Sequence, residues 1–146
     1  MSDLATTLQE QLHASRKAQD KARTLLLGTL IASLKNKQLE LRRDLTDEDV
    51  VDVLRKAVKT RREAIEQFNT AGRTDLVDKE SEEVRMIEAF LPPAADPEEI
   101  RVAVREVIAA GAGDVGGVMG TVMPRFKGRA DGKVINRIVR EELAAR

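Results

Sequence analysis

Apolar residues recur along this chain at intervals of three and four, and nowhere alternate with period two over a useful length. That pattern predicts helices and no strands. Leu4, Leu8 and Leu12 mark a short first helix. Leu26, Leu27, Leu30, Ile31, Leu34 and Leu41 mark a second, from about Gln19 to Arg42. Thr46 followed by Asp49 reads as an N-cap with an acidic N3, a variant of the capping box. From there Val50, Val53, Leu54, Val58, Ile65 and Phe68 trace a third helix to Ala71, with Gly72 as its C′ residue. Leu76, Val84, Ile87 and Leu91 mark a fourth, Thr74 to Phe90.

Helix breakers divide the chain. All four prolines (Pro92, Pro93, Pro97, Pro124) and seven of the nine glycines lie in the part after residue 91. A double proline disfavours helix at the residues before it, so a boundary is expected at Leu91–Pro97. This gives an N-terminal helical domain, 1–91, and a C-terminal one, 97–146. In the second, Asp96-Pro97-Glu98-Glu99 is a helix start: N-cap, proline at N1, glutamate at N3. Ile100, Val104, Val107 and Ile108 form its core face and Gly111 stops it. Asp114 can cap a short helix carrying Val115, Val118, Met119, Val122 and Met123, ended by Pro124. Asp131 can cap the last helix, with Val134, Ile135, Ile138, Val139 and Leu143 turned inward. The expected fold is all-α: a bundle of about four long helices followed by three shorter ones.

Composition narrows the chemistry. The 146 residues include no cysteine, one histidine and three aromatics, Phe68, Phe90 and Phe126. Disulfides, thiol catalysis and cysteine metal sites are excluded, and base stacking on aromatic platforms nearly so. The N-terminus lacks a basic segment followed by an apolar one, which argues against a secretory leader. No apolar run exceeds four residues (Val107-Ile108-Ala109-Ala110; Leu25-Leu26-Leu27 is three), too short for a membrane span. Cytoplasm is the expected compartment.

Charge is balanced in total, 25 basic against 25 acidic side chains, but not in distribution. Residues 1–43 carry net +4, residues 44–100 net −8 and residues 101–146 net +4. From Arg125 to Arg140 there are six basic residues, Arg125, Lys127, Arg129, Lys133, Arg137 and Arg140, and one acid, Asp131. On a helix starting near Asp131, Lys133, Arg137 and Arg140 share a stripe about 60° wide, opposite the apolar face. Upstream, Arg125-Phe126-Lys127-Gly128-Arg129-Ala130 is a basic loop leading into that helix's N-terminus, where backbone N–H groups favour anions. Loop and stripe together can grip phosphates through charge-assisted contacts. The ordinary alternative is a solvated helix face.

Other motifs carry less. Gly111-Ala112-Gly113-Asp114-Val115-Gly116 matches G-x-G-x-x-G but follows a helical pattern, so it reads as a helix stop and a new start. Gly116, Gly117 and Gly120 suit close approach of another helix. His13 has no apparent catalytic partner. Asp47, Glu48, Asp49 and Asp52 occupy a helix's first turns, where the macrodipole favours negative charge. Asp75, Asp78 and Glu82 form a solvated acidic face, and Met119 and Met123 read as core filler. No catalytic residue, cofactor or metal is assigned.

The run Gly117-Val118-Met119-Gly120-Thr121-Val122-Met123-Pro124, followed by Lys127-Gly128-Arg129-Ala130-Asp131-Gly132-Lys133-Val134-Ile135-Asn136, resembles the GatB/YqeY family. Ser33-Leu34-Lys35-Asn36, Lys59-Thr60-Arg61-Arg62, Phe68-Asn69-Thr70-Ala71-Gly72-Arg73-Thr74-Asp75-Leu76 and Glu88-Ala89-Phe90-Leu91-Pro92 extend the resemblance to nearly the whole chain. GatB is a subunit of the tRNA-dependent amidotransferase, and the small YqeY proteins are similar only to its helical and tail portions. The resemblance implies a C-terminal domain like the tRNA-contacting GatB tail, without the cradle that activates the carboxylate. Arg125, Lys127, Gly128, Arg129, Lys133, Arg137 and Arg140 are the expected RNA-binding residues. The expected role is tRNA or structured-RNA binding, or an accessory role in tRNA-dependent amidation, without stand-alone catalysis. Two alternatives stand beside it. One is a carbon–nitrogen ligase using glutamine as amide donor on aminoacyl-tRNA. The other is a protein-interaction module whose acidic N-terminal helices dock a basic partner. Neither needs a membrane.

Overall fold

A computed structural model describes residues 2–146. The described residues form seven α-helices and one 3₁₀ helix, with no strand. The chain divides into two compact units, Met1–Leu91 and Pro92–Arg146.

The first unit holds α1 (Asp3–Lys17), α2 (Lys21–Leu41), α3 (Asp47–Thr70) and α4 (Thr74–Glu88). Its core is the apolar stripe of each helix turned inward: Leu8, Leu27, Leu30, Leu54 and Ile87 are fully buried. Burial of each such side chain contributes about 1.5–3 kcal/mol. α3 packs most extensively on α4, and α1 on α2, whereas α2 and α3 meet over a shorter stretch. Leu25 and Leu39 lie on the outer side of α2, 71% and 76% exposed.

The helix ends show how sequence sets length. The capping box at α3 is formed: the Asp49 amide donates to the Thr46 hydroxyl at 3.2 Å, and the Thr46 amide donates to the Asp49 carboxylate at 2.9 Å. Arg43 also donates to Asp49, at 2.6 and 3.1 Å. Arg43 first, then the Thr46 amide, hold the Asp49 carboxyl far below the usual carboxylate range. The Ser2 hydroxyl, which also caps α1, donates to Asp47 and with the Leu4 amide lowers its pKa. α3 ends in a Schellman motif, with Arg73 N–H on the Phe68 carbonyl, Gly72 N–H on that of Asn69, and Gly72 at φ +71°.

Two boundaries differ from expectation. Gln19 is not the start of α2. It sits at φ +57° as the C′ residue of α1, with Asp20 N–H on the Ser15 carbonyl, and Asp20 then caps α2. A left-handed turn without glycine left no punctuation in the sequence. α4 stops at Glu88 rather than Phe90, because the chain tightens into turns in which Phe90 and Leu91 donate to the carbonyls of Ile87 and Glu88.

The second unit holds α5 (Pro97–Ala109), α6 (Val115–Val122), a 3₁₀ helix (Met123–Phe126) and α7 (Gly132–Ala144). Asp96, Asp114 and Asp131 accept from the amides of Glu98, Gly117 and Lys133 and cap α5, α6 and α7. The three helices pack on one another around Ile100, Val104, Val118, Val122, Ile135, Ile138 and Val139. Pro124 ends α6 as an α-helix but not the coil of the chain: it lies in the first turn of the 3₁₀ helix, where its missing N–H costs nothing. The α6 glycines do not admit a neighbouring helix. A Cβ at Gly120 would meet nothing within 4 Å, and one at Gly117 would meet the capping Asp114 carboxylate at 2.9 Å.

Candidate nucleic-acid interface

Three devices fix the segment between α6 and α7. Phe126 is buried in the core of the second unit and anchors it. Gly128, at φ +77°, supplies a left-handed turn that a side chain would strain. The Ala95 amide then donates to the Arg129 carbonyl at 2.8 Å, tying the segment to the chain before α5. Asp131 caps α7 and sets the helix's rotation, so Ile135, Ile138 and Val139 face inward and Lys133, Arg137 and Arg140 are exposed.

The expected cationic residues therefore fall into two groups. Arg125 and Arg129 have acidic partners on α5. Arg125 lies 3.6 Å from Glu106. Arg129 donates through both terminal nitrogens to the two oxygens of Glu99, at 3.0 and 2.9 Å, and its guanidinium stands 5.9 Å from the Phe126 ring centroid. That paired, stacked geometry makes Arg129 a strut of the loop. Arg125 is also part of the 3₁₀ helix rather than of a loop. On α7 the cations are looser. Arg137 is 3.7 Å from Glu141, with both side chains exposed. Arg140 donates to the Asn136 carboxamide oxygen at 2.8 Å, a neutral partner that leaves its charge uncompensated. The Lys133 ammonium has no ion pair among the described residues. Lys127 is exposed between the groups.

Sequence reading missed the acids that sort these cations. Glu99 and Glu106, two turns apart on α5, share one face and meet the two loop arginines. The C-terminal end of α7 carries a second network: Glu142, 11% exposed, accepts from Arg101 at 2.8 Å and from Arg105 at 3.0 Å. Arg105 first, then Arg101, hold its carboxyl below the usual range and are themselves raised. These pairings span 19 to 41 residues, beyond the reach of local pattern. Only the i, i+7 and i, i+4 spacings of Glu99/Glu106 and Arg101/Arg105 hint at them.

Comparison with known proteins completes the picture. The family model described as Yqey-like protein matches residues 5–143. A protein of Eremothecium gossypii named altered inheritance of mitochondria protein 41, mitochondrial, is 33% identical over 102 residues, which are 68% of this chain and 56% of that protein. A namesake from Pyrenophora tritici-repentis is 26% identical over 145 residues, 95% of this chain and 80% of its own. A glutamyl-tRNA(Gln) amidotransferase subunit from Natronomonas pharaonis is 34% identical over 137 residues, 84% of this chain but 21% of that protein. The match to the Eremothecium protein thus spans little more than half of that relative's length.

The expectation of a cytoplasmic protein is overturned by these relatives, which are named mitochondrial proteins in Eremothecium, Pyrenophora and Kluyveromyces lactis. Mitochondrial transit segments are amphipathic and arginine-rich rather than apolar, so a search for an apolar leader does not bear on that compartment. Among the described residues no helix is long and apolar enough to cross a membrane. With a family model covering nearly all of its length, this all-helical chain belongs to the YqeY family.

Proposed function

We propose that this chain is a helical RNA-binding protein, accessory to tRNA-dependent amidation, whose second unit holds tRNA or a similar structured RNA. The observation that carries the reading is the exposed stripe of Lys133, Arg137 and Arg140 on α7, whose charges have at most one loose ion pair. Lys127 at the loop extends the stripe, and Gly128 lets backbone approach backbone. Arg125 and Arg129 contribute mainly by shaping the loop. Support comes from the Natronomonas relative, whose name places it in a glutamyl-tRNA(Gln) amidotransferase. With three phenylalanines in the whole chain and Phe126 in the core, such a surface reads phosphate geometry rather than base identity.

A filter-binding titration of total tRNA over a salt series tests this. Three phosphate contacts predict a slope of log K against log salt of about −2 to −3. Lys133→Glu with Arg137→Glu abolishes the binding. Salt-insensitive binding, or binding unchanged in the double variant, refutes the proposal. Amide formation on Glu-tRNA on adding the protein alone with glutamine and ATP would replace it with the carbon–nitrogen ligase reading.

A further inference from the structure

A groove of about 470 Å³ opens between α2 and α3, in the unit that carries no part of the proposed RNA face. Its floor is apolar: Leu30, Val53 and Ala57. Its walls are polar, and two segments that carry the family resemblance supply them. Ser33 and Asn36 come from one segment on α2, Thr60 and Arg61 from the other on α3, with Lys56 one turn before Thr60.

Arg61 is the unusual member. Its side chain is only 16% exposed. One terminal nitrogen donates to the Ala57 carbonyl at 3.1 Å. Its Nε is buried with no hydrogen-bond partner and stands 3.8 Å from the Glu83 carboxylate, too far for a hydrogen bond. Glu83 and its own helix therefore hold the guanidinium from behind, and the donor left for a ligand is its second terminal nitrogen, which makes no hydrogen bond among the described residues. Around it, the Lys56 ammonium, the Asn36 carboxamide and the Thr60 hydroxyl make no hydrogen bond or ion pair among the described residues. Charged and neutral donors that line one cavity and still lack partners suit an anion.

The groove's walls carry charge of both signs. Asp52 and Glu40 line the other end, and Glu40 is 3.7 Å from Lys37. Along α3 Asp52 is nine residues, about 13 Å, from Arg61 and four, about 6 Å, from Lys56, which lies between the two ends. A second anionic group at that end would be repelled, and a cationic one attracted.

We propose that the α2–α3 groove binds a small molecule through a compact oxyanion, phosphate or carboxylate. Arg61 and Lys56 hold the oxyanion, Asn36 and Thr60 rim it, and the ligand's other end is uncharged or cationic. Because this site lies outside the second unit, its failure and that of RNA binding are read separately.

The test is a titration of the ¹⁵N-labelled full chain, followed by backbone amide and arginine Nε–H resonances. One arm uses O-phosphoethanolamine, the other β-alanine, each matched in ionic strength with sodium chloride. Saturable shifts at Asn36, Lys56, Thr60 and the Arg61 Nε–H in either arm support the site, and the arm that saturates identifies the oxyanion. Lys56→Ala and Asn36→Ala, both at exposed positions, are expected to weaken it by about tenfold each. Arg61→Lys keeps the charge but loses the fork, and weakens it further. If that variant loses helicity, the two exposed variants decide. Linear drift equal to that in chloride in both arms, or saturation unaltered by Lys56→Ala, overturns the proposal.

Discussion

At the scale of single residues, backbone geometry and capping acids give the sharpest expectations. Gln19 holds a left-handed φ of +57° at the end of α1, a conformation costly for any residue with a Cβ. Gln19→Gly is expected to stabilise the chain by about 0.5–1 kcal/mol in urea unfolding, since the turn is already made by the Asp20 amide on the Ser15 carbonyl. Asp49 makes the opposite case. Arg43 and the Thr46 amide depress its pKa in the folded state. Its ionised form therefore stabilises the native chain above the unfolded carboxylate value, about 4, and this is lost as pH falls through the lower folded value. Asp49→Asn should be less stable than the parent at pH 7, and the gap between them should close progressively below pH 4. A gap that does not change with pH would show that Asp49 acts as a cap without its charge.

At the scale of elements, the loop between α6 and α7 separates two roles that sequence alone merged. Arg129→Ala removes the paired contact to Glu99 and the stacking on Phe126. It should lower the stability of the second unit by about 1 kcal/mol. Lys133→Ala removes a charge with no ion pair, so it should leave the melting temperature unchanged while reducing the salt slope of RNA binding by about 1. Equal effects of the two substitutions on melting would contradict this division. The same contrast shows what local sequence could convey. Helix spans, the Thr46–Asp49 box, Gly72 and the aspartate caps were legible because each is a short-range pattern with a physical cause. The exposure of Lys133, Arg137 and Arg140 was legible for the same reason, since 3.6-residue periodicity sets the Ile135/Ile138/Val139 face opposite them. The partners of Arg125 and Arg129 were not, because tertiary packing alone brings α5 glutamates to them. The α2–α3 groove was not either, as it needs facing residues of two helices.

At the scale of the molecule, the even balance of 25 and 25 charges hides a division of labour. Part of the middle block's acid is spent on helix ends and ion pairs, among them Asp49 with Arg43, Asp75 with Arg73, Glu82 with Arg85 and Glu88 with Arg62. The last block keeps uncompensated cations on one face of α7. Each unit also has its own apolar core, with Leu54 fully buried in one and Ile138 in the other. Truncating either side chain leaves a cavity in its own core, at a cost of about 2–5 kcal/mol. Amide hydrogen exchange can tell where that cost falls. Ile138→Ala should speed exchange throughout α5, α6 and α7 and leave α1 to α4 at parental rates, while Leu54→Ala should do the reverse. RNA binding should then fall with Ile138→Ala, because the α7 stripe depends on the Ile135/Ile138/Val139 face for its rotation, and persist with Leu54→Ala. Loss of binding in both variants alike would mean that the RNA surface draws on the first unit as well.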